Sequence, residues 1–283
     1  MPARKPPTER QRRLGAELRK MRERVGLSLT EAAALHRVDK TTISNTESAR
    51  FGVSGDRVRV WAGNYSCPDQ KYIDVLAEMA RERGSNWWDE FRDQLPAGVL
   101  DLAELEHHAA AFRSVQITHM PGLLQHEEYV RAVFAESVPQ HTAEDLERRV
   151  SFRVRRACVL DGPEPPQCTF LVHEAALCMR FGGSAVTKNQ LNHLLEQSER
   201  DHVTIRVVPF TAGGFPSSGS STLYAYGPVA ALDTVQSDTP GGSRFLHSET
   251  HLSNYRVVLD RTEQRALSPD RSPNFIREIL QRL

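Results

Sequence analysis

The stretch "GLSLTEAAALHRVDKTTISNTES", Gly26 to Ser48, reads as two short helices separated by a few residues. Ser28 or Thr30 caps the first, which runs through Glu31, Ala32, Ala33 and Leu35, and Asp39 caps the second, from Lys40 to about Ser48. The second helix crowds Lys40, Thr41, Thr42, Ser44, Asn45, Thr46 and Glu47 around one large apolar residue, Ile43. A helix with so little to bury is either simply solvated or carries its polar side chains for recognition.

Spacing favours recognition. A helix-turn-helix needs a short helix, a tight turn, and a second helix that offers its first side chains to the DNA major groove. Here Ala33 is small enough for close helix approach, and Val38 and Ile43 are placed to enter a core. The face left over is Lys40, Thr41, Ser44 and Asn45, with Thr42 at its edge. Asn pairs bidentately with adenine, Lys donates to guanine, and Thr offers a hydroxyl and a methyl, so these are the base-contacting candidates. Arg37 and Arg50 flank the helix and, with Thr42, are the phosphate-contacting candidates, which set register without reading sequence.

Working outward, "ERQRRLGAELRKMRERVG" places Leu14, Leu18, Met21 and Val25 on one stripe of an amphipathic helix that ends near Gly26. Helical periodicity returns in "GDRVRVWAGNY" and in "QKYIDVLAEMARERG", where Ile73, Leu76, Met79 and Ala80 share a face. About five helices therefore make an all-α N-terminal domain, residues 1–85, with its boundary at the Gly84-Ser85-Asn86 step. Charge follows the same division. Residues 1–60 hold 14 Lys and Arg against 7 Asp and Glu, and the remainder holds 22 against 29. A basic end suits a polyanion, and an acidic remainder suits a different partner or resists sticking to DNA.

These residues resemble the Cro/C1-type (Xre) helix-turn-helix through Leu18, Arg19, Arg22, Gly26, Leu27, Ser28, Val38, Ile43, Ser44 and Glu47. The resemblance implies that Lys40, Thr41, Ser44 and Asn45 hold the base-facing positions. It also implies a partly buried structural ion pair between Arg22 and Glu47, which fixes geometry more than it adds stability. Two departures stand out. Leu29 occupies a position where the family commonly has Gln, and Arg37 one where it commonly has Gly, so Arg37 must strain its φ or alter the turn.

From residue 86 to 283 the pattern becomes a mixed α/β domain. Helices are expected near 99–113, 124–136, 143–158 and 187–200, and strands in "CTFLVHEAAL", "HVTIRVVPF", "STLYAYG" and "NYRVVLD". Phe210 to Ser221 reads as a long surface loop. "PGLLQ" at Pro121 to Gln125, "HEAAL" at His173 to Leu177, "VTIRVVPFTAGGFP" and "ALSPDRSPNFIREIL" resemble the long C-terminal domain of WhiJ-like regulators of Streptomyces and other actinobacteria. That resemblance implies a transcriptional regulator of development or specialised metabolism, with a small partner protein encoded nearby. It brings no catalytic residues with it.

Other chemistry is weakly signalled. No stretch approaches 18 apolar residues and no signal peptide is recognisable, so a cytoplasmic protein without membrane association is expected. Cys67, Cys158, Cys168 and Cys178 lack C-x-x-C spacing and read as buried free thiols. "HSETH" puts His247, Glu249 and His251 at alternate positions, a metal-ligand candidate only if the segment is extended; a polar surface segment is the competing reading. "GGSAVTK" is not a phosphate-binding loop and "SSGSS" is not a nucleophile elbow.

The expectation is a sequence-specific regulator binding double-stranded DNA as a homodimer, without a cofactor or enzymatic activity, modulated through its C-terminal domain by a small protein or a small-molecule effector. Two rivals are an antitoxin-like protein-interaction module and an enzyme tethered to DNA.

Overall fold

Thr8 and Gln11 open the first helix by exchanging hydrogen bonds. The Thr8 hydroxyl accepts from the Gln11 amide at 3.3 Å, and the Gln11 carboxamide oxygen accepts from the Thr8 amide at 3.2 Å. The computed structural model describes residues 6–82, 85–216, 219–239 and 242–283. From that cap α1 runs Glu9–Arg24 and stops at Gly26, whose φ of 74° is the left-handed conformation a helix terminus uses. Then follow α2 (Leu29–His36), α3 (Lys40–Glu47), α4 (Gly55–Asn64) and α5 (Gln70–Arg81), the five expected helices.

Their core is Leu14, Leu18, Met21, Ala32, Ala33, Ile43, Val58, Trp61, Tyr65, Ile73, Leu76 and Ala77, all buried. Val25, at the end of the expected stripe, is exposed, and Met79 and Ala80 are only half-buried, with Tyr72 and Ala77 taking the interior positions of α5. The chain divides into two compact units, the first comprising residues up to Arg92 together with Pro96–Leu105. It thus runs past residue 85; Gly84 itself lies outside the described residues. Asp101 of α6 (Ala97–His108) ties that segment to α1, accepting from the Glu9 amide at 2.9 Å and pairing with Arg12 at 3.1 Å.

The second unit, Asp93–Leu95 and Glu106–Leu283, is built on a six-stranded mixed sheet. The strands are β1 (Ala111–Gln116), β2 (Gln167–His173), β3 (Val203–Val208), β4 (Thr222–Tyr226), β5 (Thr234–Thr239) and β6 (Gly242–Leu246), in the order β3-β2-β1-β4-β5-β6. β1 pairs with β2 and β2 with β3 in parallel, while the β1–β4, β4–β5 and β5–β6 pairings are antiparallel. The helices are α7 (Glu127–Ala135), α8 (Ala143–Arg156), α9 (Glu174–Cys178), α10 (Gly183–Gln197), α11 (Glu249–Arg265) and α12 (Ser272–Gln281).

Several local expectations are corrected. The helix expected to reach 113 ends at His108, because Ala111 to Gln116 is recruited between β2 and β4. "NYRVVLD" is helical, inside α11, where Leu252 and Leu259 face the sheet; the wider helical spacing outweighs the β-branched pair Val257-Val258. "EAAL" after β2 is α9, with the His173 Nδ1 accepting from the Ala175 amide at 3.3 Å. α7 starts at Glu127 after a 3-10 turn at Gly122–Leu124, and α10 starts at Gly183. β5 and β6 were not expected. The four cysteines are free, as expected, but only Cys168 is buried, and Cys158 and Cys178 are exposed.

One face of the sheet carries Val115, Leu171, Tyr224 and Val235 against Leu252 and Leu259 of α11. At its edge Arg113 pairs with Asp260 and Glu263, and Arg206 also pairs with Glu263. Alternation along the strands sends Phe112, Ser114, Phe170, Leu223 and Gln236 to the other face.

Candidate nucleic-acid interface

α2 begins with a capping box. The Ser28 hydroxyl accepts from the Glu31 amide and the Glu31 carboxylate from the Ser28 amide, which settles the choice between Ser28 and Thr30. The helix ends at Arg37 with φ 54° and ψ 46°, the left-handed conformation normally left to glycine. The Arg37 and Val38 amides donate back to Ala34 and Ala33, closing the turn. Asp39 then stands at the start of α3 in extended conformation, but its carboxylate makes no cap hydrogen bond, a correction to the expected cap; its backbone oxygen accepts from the Thr42 amide instead.

Three devices hold α3. Ile43 is fully buried and Thr46 nearly so. The Arg22 guanidinium grips the Glu47 carboxylate through two bonds of 2.6 and 2.8 Å and donates a third, at 2.6 Å, to the Leu27 oxygen between α1 and α2. The bond to Glu47 raises the Arg22 pKa, and burial, with the Glu47 charge beside it, pushes Tyr65 up to about 12. Finally, Gly15 lets α1 approach the end of α3. A β-carbon there would stand 2.5 Å from the Glu47 backbone oxygen.

Sequence reading missed Gly15, although a glycine inside a helical pattern is the signal for a close approach. It also missed the buried Arg13–Glu17 pair, 2.7 Å apart and hydrogen-bonded through Glu17 to Tyr72.

With α3 fixed, Lys40, Thr41 and Ser44 are exposed and Thr42 is half-buried at their margin. Asn45 is half-buried too, and borders a cleft of about 930 Å³ that Ala49, Arg50 and Phe51 also line. Val38, expected inside, is half-buried. Arg37 and Arg50 are exposed at the two ends of α3, and among the described residues neither they nor Lys40 has a carboxylate partner. Elsewhere in this unit Arg10, Arg12, Arg13, Arg19, Arg59 and Arg81 are all paired. Exposed Arg24, Arg57 and Lys71 likewise lack a carboxylate partner among the described residues, and the uncompensated charges that flank the polar face of α3 can meet phosphates while the short side chains reach base edges.

The His247/Glu249/His251 candidate does not assemble. Alternation on one face needs extended backbone, but Ser248 caps α11 and Glu249 and His251 belong to its first turn. Glu249 pairs with Arg256, and His251 lies 2.8 Å from the Ser248 hydroxyl. Among the described residues no group of three His, Cys, Asp or Glu side chains is placed to hold a metal ion.

Residues 13–62 match a helix-turn-helix domain family, the span that builds this interface, and support a DNA-binding regulator. Residues 99–278 match DUF5753, a domain of unknown function. No curated protein and no solved structure matches the chain. No helix among the described residues is long and apolar enough to cross a membrane. With more than half of its length in the second match, the chain belongs to the DUF5753 family, its domain preceded by a helix-turn-helix.

Proposed function

We propose that the protein is a cytoplasmic transcriptional regulator that binds double-stranded DNA sequence-specifically as a homodimer. In this reading α3 enters the major groove; Lys40, Thr41, Ser44 and Asn45 contact base edges, and Arg37, Thr42 and Arg50 contact phosphates. The observation that carries it is the pose of α3, which is fixed from below by Ile43, Glu47 and the close approach at Gly15 while its outer face is polar and ringed by unpaired cations. Dimerisation would bring two recognition helices to half-sites about 34–36 Å apart, one turn of the duplex.

The resemblance to WhiJ-like regulators supports development or specialised metabolism as the controlled process. It also supports modulation through the second unit by a small protein or a metabolite. No catalytic role is assigned to any residue. The test is fluorescence anisotropy on labelled DNA from upstream of the protein's own gene, against scrambled DNA, at two salt concentrations. Tight, salt-sensitive binding with preference for the native sequence is expected. Equal, weak binding to both DNAs would overturn sequence-specific recognition.

A further inference from the structure

α8 is rich in arginine, and its charges are mostly neutralised. Arg148 pairs with Glu144, Arg149 with Asp145, and Arg156 with Glu106 in a buried bidentate pair of 2.9 and 2.6 Å. Arg153 differs. Its guanidinium donates to the Gln125 carboxamide oxygen at 2.9 Å and lies over the Phe134 ring at 5.2 Å, and among the described residues no carboxylate pairs with it. A half-buried guanidinium without a counter-ion is costly unless something else supplies the negative charge.

The surroundings are those of a prepared site. "PGLLQ" is immobilised from three sides: Tyr129 accepts from the Met120 amide, Gln125 donates to the Met120 oxygen, and buried Gln190 bridges the Leu124 oxygen and the His126 amide. Both arginines lie against this loop at Gly122, where a β-carbon would make ordinary contact, 3.4 Å from Arg156 and 3.6 Å from Arg153. His119, stacked on Phe181 at 5.0 Å, stands nearby; burial first, then the Arg153 charge, lowers its pKa, so near neutral pH its ring is uncharged. On the sheet face opposite α11, Ser114 is 2% exposed and its buried hydroxyl has no hydrogen-bond partner among the described residues. Asp238 also acts on Arg153, but its carboxylate already accepts from Gln236 and Ser243.

We propose that Arg153, with Gln125, His119 and the Phe134 and Phe181 rings, binds the carboxylate of a small organic acid with an apolar body. One guanidinium without a paired carboxylate, bordered by an amide and aromatic rings and beside an Arg156–Glu106 pair that neutralises itself, matches a monoanion. A phosphate dianion would meet Asp238 with no second free cation. This site deepens the reading that a metabolite modulates the second unit and rests on it for its regulatory meaning; the binding itself does not.

The test is thermal melting and calorimetric titration of the full chain with benzoate, with benzamide as the neutral control and inorganic phosphate as the competing anion, all without DNA. Failure here is therefore separate from failure to bind an operator. Benzoate is expected to raise Tm by several degrees and benzamide and phosphate to leave it unchanged, with the benzoate response lost in Arg153→Gln. Gln125→Glu guards against a folding defect: it places a carboxylate beside an intact Arg153 at the cost of the bond to the Met120 oxygen, so its ligand-free Tm should fall by a few degrees with melting still cooperative, while the benzoate response disappears. No response to benzoate, an equal response to benzamide, a response to phosphate alone, or a benzoate response surviving in either variant would overturn the proposal.

Discussion

Arg22 and Glu47 form a bidentate pair with side chains only 7% and 6% exposed, and through it the first helix dictates the pose of the third. Removing one partner strands a buried charge. Glu47→Ala is expected to cost about 3–5 kcal/mol of stability. Urea unfolding followed by tryptophan fluorescence measures it, and a midpoint like that of the parent would refute the pair's role.

Gly15→Ala tests the close approach. Helix propensity alone predicts a gain of about 1 kcal/mol, but the added methyl would stand 2.5 Å from backbone at Glu47. Overpacking against backbone should win by about 1–3 kcal/mol. A raised Tm would show that α1 and α3 have room to separate.

Arg37 sits at φ 54°. Arg37→Gly should relieve about 1–2 kcal/mol of left-handed strain while removing a phosphate contact. More stable protein with weaker binding, and a salt slope shallower by about 1, is the expected pair of results. Improved stability with unchanged DNA affinity would remove Arg37 from the interface.

Asn45→Ala and Arg50→Ala should fail differently. The first is expected to lose about 1–3 kcal/mol of discrimination between native and scrambled DNA, and the second to weaken both roughly equally. Because Asn45 is half-buried beside the cleft, uniform weakening by Asn45→Ala would place it in the framework of α3 and off the bases.

His36 stacks on Trp61 at 4.7 Å, and burial, then the Arg57 charge, depresses its pKa. The unfolded chain therefore binds this proton more readily, so His36 contributes stability above its unfolded pKa of about 6.5 that is lost as pH falls through the folded value. Urea midpoints should drop between about pH 7 and pH 5, and His36→Phe, which keeps an aromatic stack, should reduce that drop. A pH response identical in the variant would assign it to His119, His173 or His193, whose pKa values burial also lowers.

The helices of the first unit were legible because their signals are local: an apolar stripe and a stop in Leu14, Leu18 and Met21 before Gly26, and a start cap in Ser28 and Glu31. The polar face of α3 was legible for the same local reason. The second unit was read less well. Ala111 to Gln116 is a strand because β2 and β4 flank it, and β5 and β6, rich in Ser, Asp and Gly, have little strand character apart from their neighbours.

Sequence by itself determined the periodicities, the turn residues and the excess of positive charge at one end, all of which act within a few residues. Tertiary structure alone decided that Gly15 touches the end of α3, that Glu106 neutralises Arg156, and that Arg153 pairs with no carboxylate among the described residues. Those outcomes depend on which distant segments the fold brings within a few ångströms, and Coulomb and packing energies are set by that distance and by the water excluded with it.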